Sequence, residues 1–309
     1  MSTSQTRRLT PDTSSPWPRY RWPEGYDSAF CFTVDVDEQS PLLWGLREQP
    51  PSRLLGHAEQ RAFGSRVGIW RLLDLLATFG IQASFYVPAV VAERHPQLLP
   101  AFVERGHEIG LHGYFHELAT QSSDAEFTEA LDASIALFRR QTGQVPTGFR
   151  SPAWEMTPHM LEEVRRRGLY DSSLAGFDHP YTMGGVVELP VQWALDDAIF
   201  FKFLGGGADQ WPPSSTDAVL SMWLDEWEGL HEVGGLFMLT VHDWISGRMH
   251  RIRMLSRLLE RVVVEPRCWV ATAGEIARHH AQSDNRAAFE VPVQTPRAIA
   301  ASRFGQESR

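Results

Sequence analysis

Short apolar stretches alternate with amphipathic ones along most of the 309-residue chain, and that alternation leaves few folds open. The run AFCFTVDVD from Ala29 reads as a buried strand ending in acidic residues. In SRVGIWRLLDLLATFG, Leu72, Leu75, Leu76 and Phe79 recur at helical spacing and Gly80 stops the helix. IQASFYVP is a second strand, AVVAERHPQLLPAFVERG an interrupted helix and HEIGLHG a third strand. Ser123 and Glu126 form a capping-box pattern for a helix reaching about Thr142, and Thr157 with Pro158 opens another that Gly168 ends. Strands at VVELPV, GGLFMLTVH and RCWVA follow, with the helices SSTDAVLSMWLDEWEGLHE and HRIRMLSRLLERVV between them. Apolar strands alternating with helices imply parallel βαβ units. About seven strands in one such run suit a single α/β barrel better than two domains. The barrel is expected over 29–280, after an N-terminal arm at 1–28 rich in Ser, Thr and Pro, and before a C-terminal tail at 281–309.

Composition narrows the class further. Hydrophobic residues are 43% and charged residues 22%, which excludes a disordered or collagen-like chain. With 29 basic against 38 acidic residues and no basic run, nucleic acid is not an expected partner. Apolar runs such as Leu236–Val241 are too short to cross a bilayer, so no membrane partner is expected either. The N-terminus has basic residues but no apolar stretch after them, unlike a secretory signal, and a cytoplasmic location is expected. Cys31 and Cys268 sit in strand-like segments and read as buried free thiols rather than a disulfide. The Trp-rich MWLDEWEGL reads as a subunit contact or as a buried barrel helix; a homo-oligomer, dimer or tetramer, is expected.

A parallel barrel does its chemistry at the C-terminal ends of its strands. Asp35 and Asp37 end the first strand, and at i and i+2 both carboxylates lie on one face. Two charges there are costly unless a metal ion compensates them, although a loop-capping Asp beside a solvated one fits the same pair. His112 and His116 follow the third strand in LHGYFHE, at an i, i+4 spacing that brings two imidazoles to one cation where the segment is helical. Twelve histidines make such a pair a weak signal alone, and position gives it weight. The acidic pair and the His pair would meet at one mouth of the barrel as a two-His, one-carboxylate site with open positions for water and substrate. Arg150, in GFRSPAWEM, can hold a neighbouring carboxylate ionised and oriented, or form a surface ion pair. His242, at the end of GGLFMLTVH, reads as a core histidine or, protonated, as a general acid.

In order and spacing these segments resemble the polysaccharide deacetylase (NodB-homology) superfamily, carbohydrate esterase family four, from about Trp22 to His280. TVDVDE is similar to the first motif, HGYFH to the second, GFRSPAW to the third and LTVH to the fifth. The resemblance implies a distorted (β/α) barrel of about seven parallel strands. It implies Asp37, His112 and His116 as ligands of one divalent metal ion, zinc first, with cobalt, nickel, manganese or iron as alternatives. It implies Asp35 as the base that activates water, Arg150 as the residue orienting Asp35, Trp154 as a pocket wall and His242 as the acid for the leaving nitrogen. Two features depart from the commonest pattern. Asp-Val-Asp replaces adjacent aspartates, and no fourth motif supplies an acidic partner to the histidine near YDSSLAGFDHPY, which leaves Asp171, Asp196 and Asp197 as candidates. With the long insertion Gln39–Ser65 and the segments ELPVQWALDDAIFF and HDWISGRMHRI, these features resemble an intracellular branch. That branch includes bacterial cyclic imide hydrolases and a peptidoglycan-deacetylase-like protein of tetrameric assembly.

The implied activity is metal-dependent hydrolysis of a carbon–nitrogen bond other than a peptide bond. The expected substrate is a small amide or cyclic imide, with deacetylation of N-acetylglucosamine-containing saccharides, of peptidoglycan or chitin type, as the alternative. Gln39–Ser65 is expected to form a lid or pocket wall, with Trp44 and Arg47 as substrate contacts and Glu38 and Asp197 beside them. Trp193 and Trp244 read as further pocket walls or as ordinary packing. A non-haem iron oxygenase also uses two His and one carboxylate, but on a double-sheet β fold with a His-x-Asp pair. A catalytically inactive binding protein of the same fold is a third class, against which the intact Asp35, Asp37, His112, His116, Arg150 and His242 argue.

Overall fold

All eight residues of β1 (Ser28–Asp35) are buried, because helices cover one face of the strand and a barrel interior takes the other. The period of two divides them. Phe30, Phe32 and Val34 enter the main core beneath the helices, whereas Ala29 and Cys31 join a second cluster inside the barrel. Full burial of Phe30, Phe32 and their neighbour Phe237 stabilises by about 1.5–3 kcal/mol each. The computed structural model describes residues 19–47, 54–205, 209, 211–284, 288–289 and 291.

On one side β1 pairs in parallel with β8 (Leu236–His242), and on the other with β2 (Ser84–Val87). The sheet continues from β2 through β3 (Glu108–Leu111), β4 (Gly148–Phe149), β5 (Tyr170–Asp171) and β7 (Val186–Glu188). The order β7-β5-β4-β3-β2-β1-β8 is parallel throughout and matches the number of strands expected, although β4 and β5, two residues each, were not read from the sequence. Three more strands lie outside this order, of which only the RCWVA strand was expected. β6 (Tyr181–Met183) forms an antiparallel hairpin with β7, β10 (Ala288–Phe289) extends it, and β9 (Cys268–Val270) pairs with the start of β1. The sheet curls into a distorted barrel. The gap between β7 and β8 is spanned by the chain after β7, through a bridge of Asp196 to Thr240 and the Asp197 N–H donating to the Thr240 carbonyl at 3.1 Å.

Inside, Tyr86 and Tyr170 meet hydroxyl to hydroxyl at 3.0 Å. Glycines on the facing strands make room for the two rings. A Cβ at Gly110 would lie 2.6 Å from the Tyr86 ring, and one at Gly148 would overlap Tyr170. Tyr20 and Trp22 pack into the same cluster, and Trp22 Nε1 donates to the Gly234 carbonyl at 2.9 Å. The described end of the 1–28 segment is thus part of the packed barrel, because its aromatic rings fill space that the short strands leave. Of the 281–309 segment, the pair Ala288–Phe289 is seated on β6.

Helix signals fell close to their targets. Ser123 caps the helix Asp124–Thr142 in a capping box with Glu126, and the Thr157 side chain accepts from Met160 N–H. The described residues of the insertion are largely helical. Ser40–Gly45 is one short helix, and Leu54–Phe63 runs through a π-helical turn at Gly64–Gly68 into Ile69–Phe79. In the helix Thr216–Val233, Trp223 and Trp227 are buried in the core, as befits a barrel helix. Both cysteines are buried free thiols. Among the described residues no helix is long and apolar enough to cross a membrane.

Candidate metal centre and catalytic site

Parallel register sets the first contacts. Asp35, the last residue of β1, lies level with His242 on β8 and with Tyr86 on β2. Beneath it, Arg150 arrives from the end of β4 and is completely buried. Its Nη1 donates to Asp35 Oδ1 at 2.8 Å, to Thr33 Oγ1 at 2.8 Å and to Thr240 Oγ1 at 3.2 Å. Nε and Nη2 donate to the Ser172 carbonyl and hydroxyl, and the guanidinium stacks 4.2 Å from the Tyr86 ring centroid. Every edge of the cation is engaged, so the carboxylate above it is fixed in orientation.

Above that layer lie three donors. Asp37 Oδ1 is 3.5 Å from Nε2 of both His112 and His116, and the three ligand atoms sit within 4.8 Å of one another. His112 Nδ1 is 2.7 Å from the Arg150 carbonyl, which makes Nδ1 a protonated nitrogen and turns Nε2 toward Asp37. Burial lowers the His116 pKa to about 4, against the pull of Asp37, so this imidazole is neutral at ordinary pH. Burial pushes the Asp37 carboxyl up, but the imidazoles of His116, His112 and His242 outweigh it and hold it below the usual carboxylate range. One observation tests whether a cation fits. Asp37 Oδ1 is buried without a hydrogen-bond partner, an arrangement that costs free energy unless a cation meets it. Burial opposes a charged His112, yet Asp35 and Asp37 raise its pKa. Two imidazole Nε2 atoms and one carboxylate fit a divalent ion that keeps open positions.

The i, i+4 histidines do not come together on a helix. After β3 the chain turns through Gly113 and through His116 itself at φ +60°, and the two rings stand 83° apart with centroids at 5.0 Å. The Glu117 carboxylate holds this loop by accepting from the Tyr114 and Phe115 N–H groups at 2.7–3.0 Å. Across the site, His242 Nδ1 is 2.6 Å from Asp197 Oδ1, and its Nε2 faces Asp37 Oδ2 at 3.9 Å. Burial opposes the charged imidazole, yet Asp197 and Asp196 raise its pKa well above the ordinary value. A protonated His242 level with the buried Asp35 carboxylate sets a proton donor beside a proton acceptor.

Residues 64–171 match the polysaccharide deacetylase family. A solved structure from Mycobacterium smegmatis, assigned as a polysaccharide deacetylase, is 32% identical over 91% of this chain and 99% of its own, with a TM-score of 0.82. The chain belongs to the polysaccharide deacetylase family. Two curated relatives agree: the peptidoglycan deacetylase-like protein FGM2 of Gibberella zeae, 29% identical over 70% of this chain and 76% of its own, and a peptidoglycan deacetylase of Helicobacter pylori, 27% identical over 75% and 89%. As a member of this family the protein is a metal-dependent hydrolase of carbon–nitrogen bonds other than peptide bonds.

Against the family motifs the structure brings Asp35, Asp37, His112, His116, Arg150 and His242 to one barrel mouth. Two expectations for the pocket need correction. Asp197 is completely buried, bonded to the His242 ring and N–H and to the Ser246 hydroxyl, and so partners the histidine rather than lining a pocket. Glu38 is also buried, with its carboxylate taken up by Ser65 and the Gln39 N–H, because the chain kinks there at φ +43° and folds the side chain under the insertion. Of the other candidates for His242, Asp196 lies 3.9 Å away with its pKa pushed by burial to about 7, while Asp171 pairs with Glu188. Trp154 is half-buried and packs on exposed Trp193 at a centroid distance of 4.2 Å. Trp44 carries Arg47 over its ring at 4.0 Å, donates to Gln121 and lines a cavity with Tyr114, Phe115 and Glu117 of the His116 loop, while Trp244 is core. Sequence reasoning missed Thr33, Thr240, Ser172, Arg61 and Asp243. Thr33 could have been found from its inward register on β1, two residues before Asp35.

Proposed function

We propose that this protein hydrolyses a carbon–nitrogen bond of a small amide or cyclic imide. Asp37, His112 and His116 hold one divalent ion, zinc in the first instance. When bound, that ion supplies a Lewis acid that makes hydroxide available near neutral pH and polarises the scissile carbonyl. Asp35 accepts a proton from the attacking water, and Arg150 keeps the accepting oxygen aimed at it through the 2.8 Å bond to Oδ1. A leaving amine or amide is a poor anion, so its nitrogen must gain a proton as the bond breaks. His242 supplies that proton, with the Asp197 carboxylate supporting its imidazolium. At the end of one cycle Asp35 holds a proton that His242 lacks, and proton exchange with solvent resets the pair. Trp154, beside Trp193, forms a wall of the substrate pocket.

The choice of a small substrate rests on enclosure. Asp35 is 2% exposed, Asp37 6%, His112 1% and His242 8%, which suits a compact molecule better than a polymer chain lying across the surface. The names of the two curated relatives favour a second reading, deacetylation of N-acetylated sugars of the peptidoglycan type. The test is metal-reconstituted protein given succinimide and dihydrouracil in parallel with N-acetylglucosamine oligomers. Ring opening without acetate release supports the proposal; acetate release from the oligomers replaces it with the second reading. The proposal includes the cytoplasmic location and homo-oligomeric assembly expected from the sequence, which fractionation and sedimentation test.

A further inference from the structure

The chain after β1 is held unusually firmly. Glu38, next to Asp37, is one of four described non-glycine residues with positive φ, and its peptide is gripped at both ends. Its N–H donates to Asp243 Oδ1 at 3.3 Å, and its carbonyl accepts from Arg61 Nη1 at 3.1 Å. Its carboxylate accepts from the Ser65 hydroxyl at 3.1 Å and lies 3.4 Å from His95 Nε2. The carbonyl of Asp37 accepts from Ser40 N–H at 2.8 Å and Ser40 Oγ at 2.7 Å. The backbone groups named here are thus occupied by the scaffold, while Asp37 Oδ1 remains without a hydrogen-bond partner.

The grip comes from two elements locked to one another. Arg61 belongs to the insertion helix Leu54–Phe63, is buried, and lays its guanidinium 4.5 Å from the centroid of Trp244. Asp243 and Trp244 belong to the short helix after β8. The π-helical turn that follows Phe63 presses Gly64 against the Asp243 carboxylate so closely that a Cβ there would overlap it. A residue at φ +43° costs about 1–3 kcal/mol and persists only where its surroundings over-determine it. Here the surroundings are Arg61 and Asp243.

We infer that Arg61 and Asp243 are positioning residues that clamp the Glu38 peptide from both sides, fix the Asp37 carboxylate beside His112 and His116, and so set the affinity for the metal ion. This gives the insertion a task at the metal site besides the lid or pocket wall expected from sequence, and it rests on the reading of Asp37 as a ligand. Outer-shell partners of metal ligands commonly contribute 10–100-fold in affinity.

The experiment is chelator competition with zinc and cobalt on the metal-stripped full-length protein. Arg61→Ala and Asp243→Ala should each weaken ion affinity by about 10–100-fold, with KM unchanged once the protein is saturated with metal. Arg61→Lys, which can still donate to the Glu38 carbonyl, should recover part of the loss, and Asp243→Asn, which keeps its acceptor oxygen, most of it. Should Arg61→Ala fail to fold, Arg61→Met retains the packing of the stem on Trp244 and reads the same quantity. A lower melting temperature with unchanged affinity in the variants overturns the inference, as does a raised KM with affinity intact. A wild-type protein that binds no ion overturns both this inference and the function proposed above; normal wild-type binding with unaltered variants overturns this inference alone.

Discussion

Replacing Asp197 by Asn removes the charge that keeps His242 protonated while preserving the shape of the side chain. Burial alone would lower the pKa of this imidazole, but Asp197 at 2.6 Å and Asp196 at 3.9 Å raise it well above its ordinary value. With an effective dielectric constant near 20, opposite charges about 4 Å apart attract by about 4 kcal/mol, equivalent to roughly 3 pK units. Asp196 stays and offsets part of the loss, so a downward shift of about 1–3 units is expected. The sign follows from the role. An acid with a raised pKa is in its donating form below that value and loses activity as pH rises through it. In Asp197→Asn the alkaline limb of the kcat/KM profile should therefore move to lower pH. At a pH one unit above the new value, the rate should fall at least about tenfold. An ion at the neighbouring donor set lowers His242 in both proteins and leaves the difference in place. The assay is a pH profile of the metal-loaded enzyme against its best substrate, with folding checked by circular dichroism. An alkaline limb that stays where it was would refute the assignment of His242 as the acid.

Four further outcomes are expected. His112→Ala and His116→Ala should each lose the divalent ion and all hydrolysis while remaining folded; full activity of either variant without metal would sink the mechanism. Asp35→Asn should keep the ion, measured by metal analysis, and lose about 10²-fold or more in kcat; loss of the ion instead would mean that Asp35 and Asp37 exchange roles. Arg150→Met leaves Asp35 buried without its cation and should cost about 3–5 kcal/mol in urea unfolding of the metal-free protein, and a loss below about 1 kcal/mol would show that the guanidinium network is not desolvated. Gly148→Ala drives a methyl group into the Tyr170 ring and should destabilise by about 1–3 kcal/mol; an unchanged melting temperature would mean that the ring moves freely.

Much of the barrel could be read from local pattern because its strands are buried on both faces and its helices carry their own stop and start signals. The run AFCFTVDVD became β1, and the Ser123–Glu126 box became the start of a long helix. Side-chain partnerships across long separations carry no such local mark. The bond between Asp197 and His242 spans 45 residues and depends on how the chain after β7 crosses to Thr240, which neither segment encodes alone. β6, the partner of β7 in its hairpin, was hidden because it has three residues, too few to show a period of two. The histidine spacing suggested a helix where the chain builds a loop. A spacing of four fits both, and only the Glu117 carboxylate, bonded to backbone N–H groups, decides between them.

The strained positions connect these failures. Glu38, His116, Ala153 and Trp154 are the described non-glycine residues with positive φ, and they lie after β1, β3 and β4, around one barrel mouth. Propensity argues against each of them, so a reading based on local preference goes astray in the segments that shape the site. Together they cost roughly 4–12 kcal/mol, a sum comparable to the net stability of a whole domain. The surroundings must therefore hold them, and where the holding groups are known they are buried and specific: Asp243 and Arg61 on Glu38, and Glu117 on the loop that ends in His116. If an ion meets Asp37, His112 and His116, its binding offsets part of that cost. Loading the protein with metal should then raise its melting temperature, and should raise it less in Arg61→Ala than in the wild type. A variant in which metal gives the full rise would show that the strain at Glu38 is relieved by something other than the clamp.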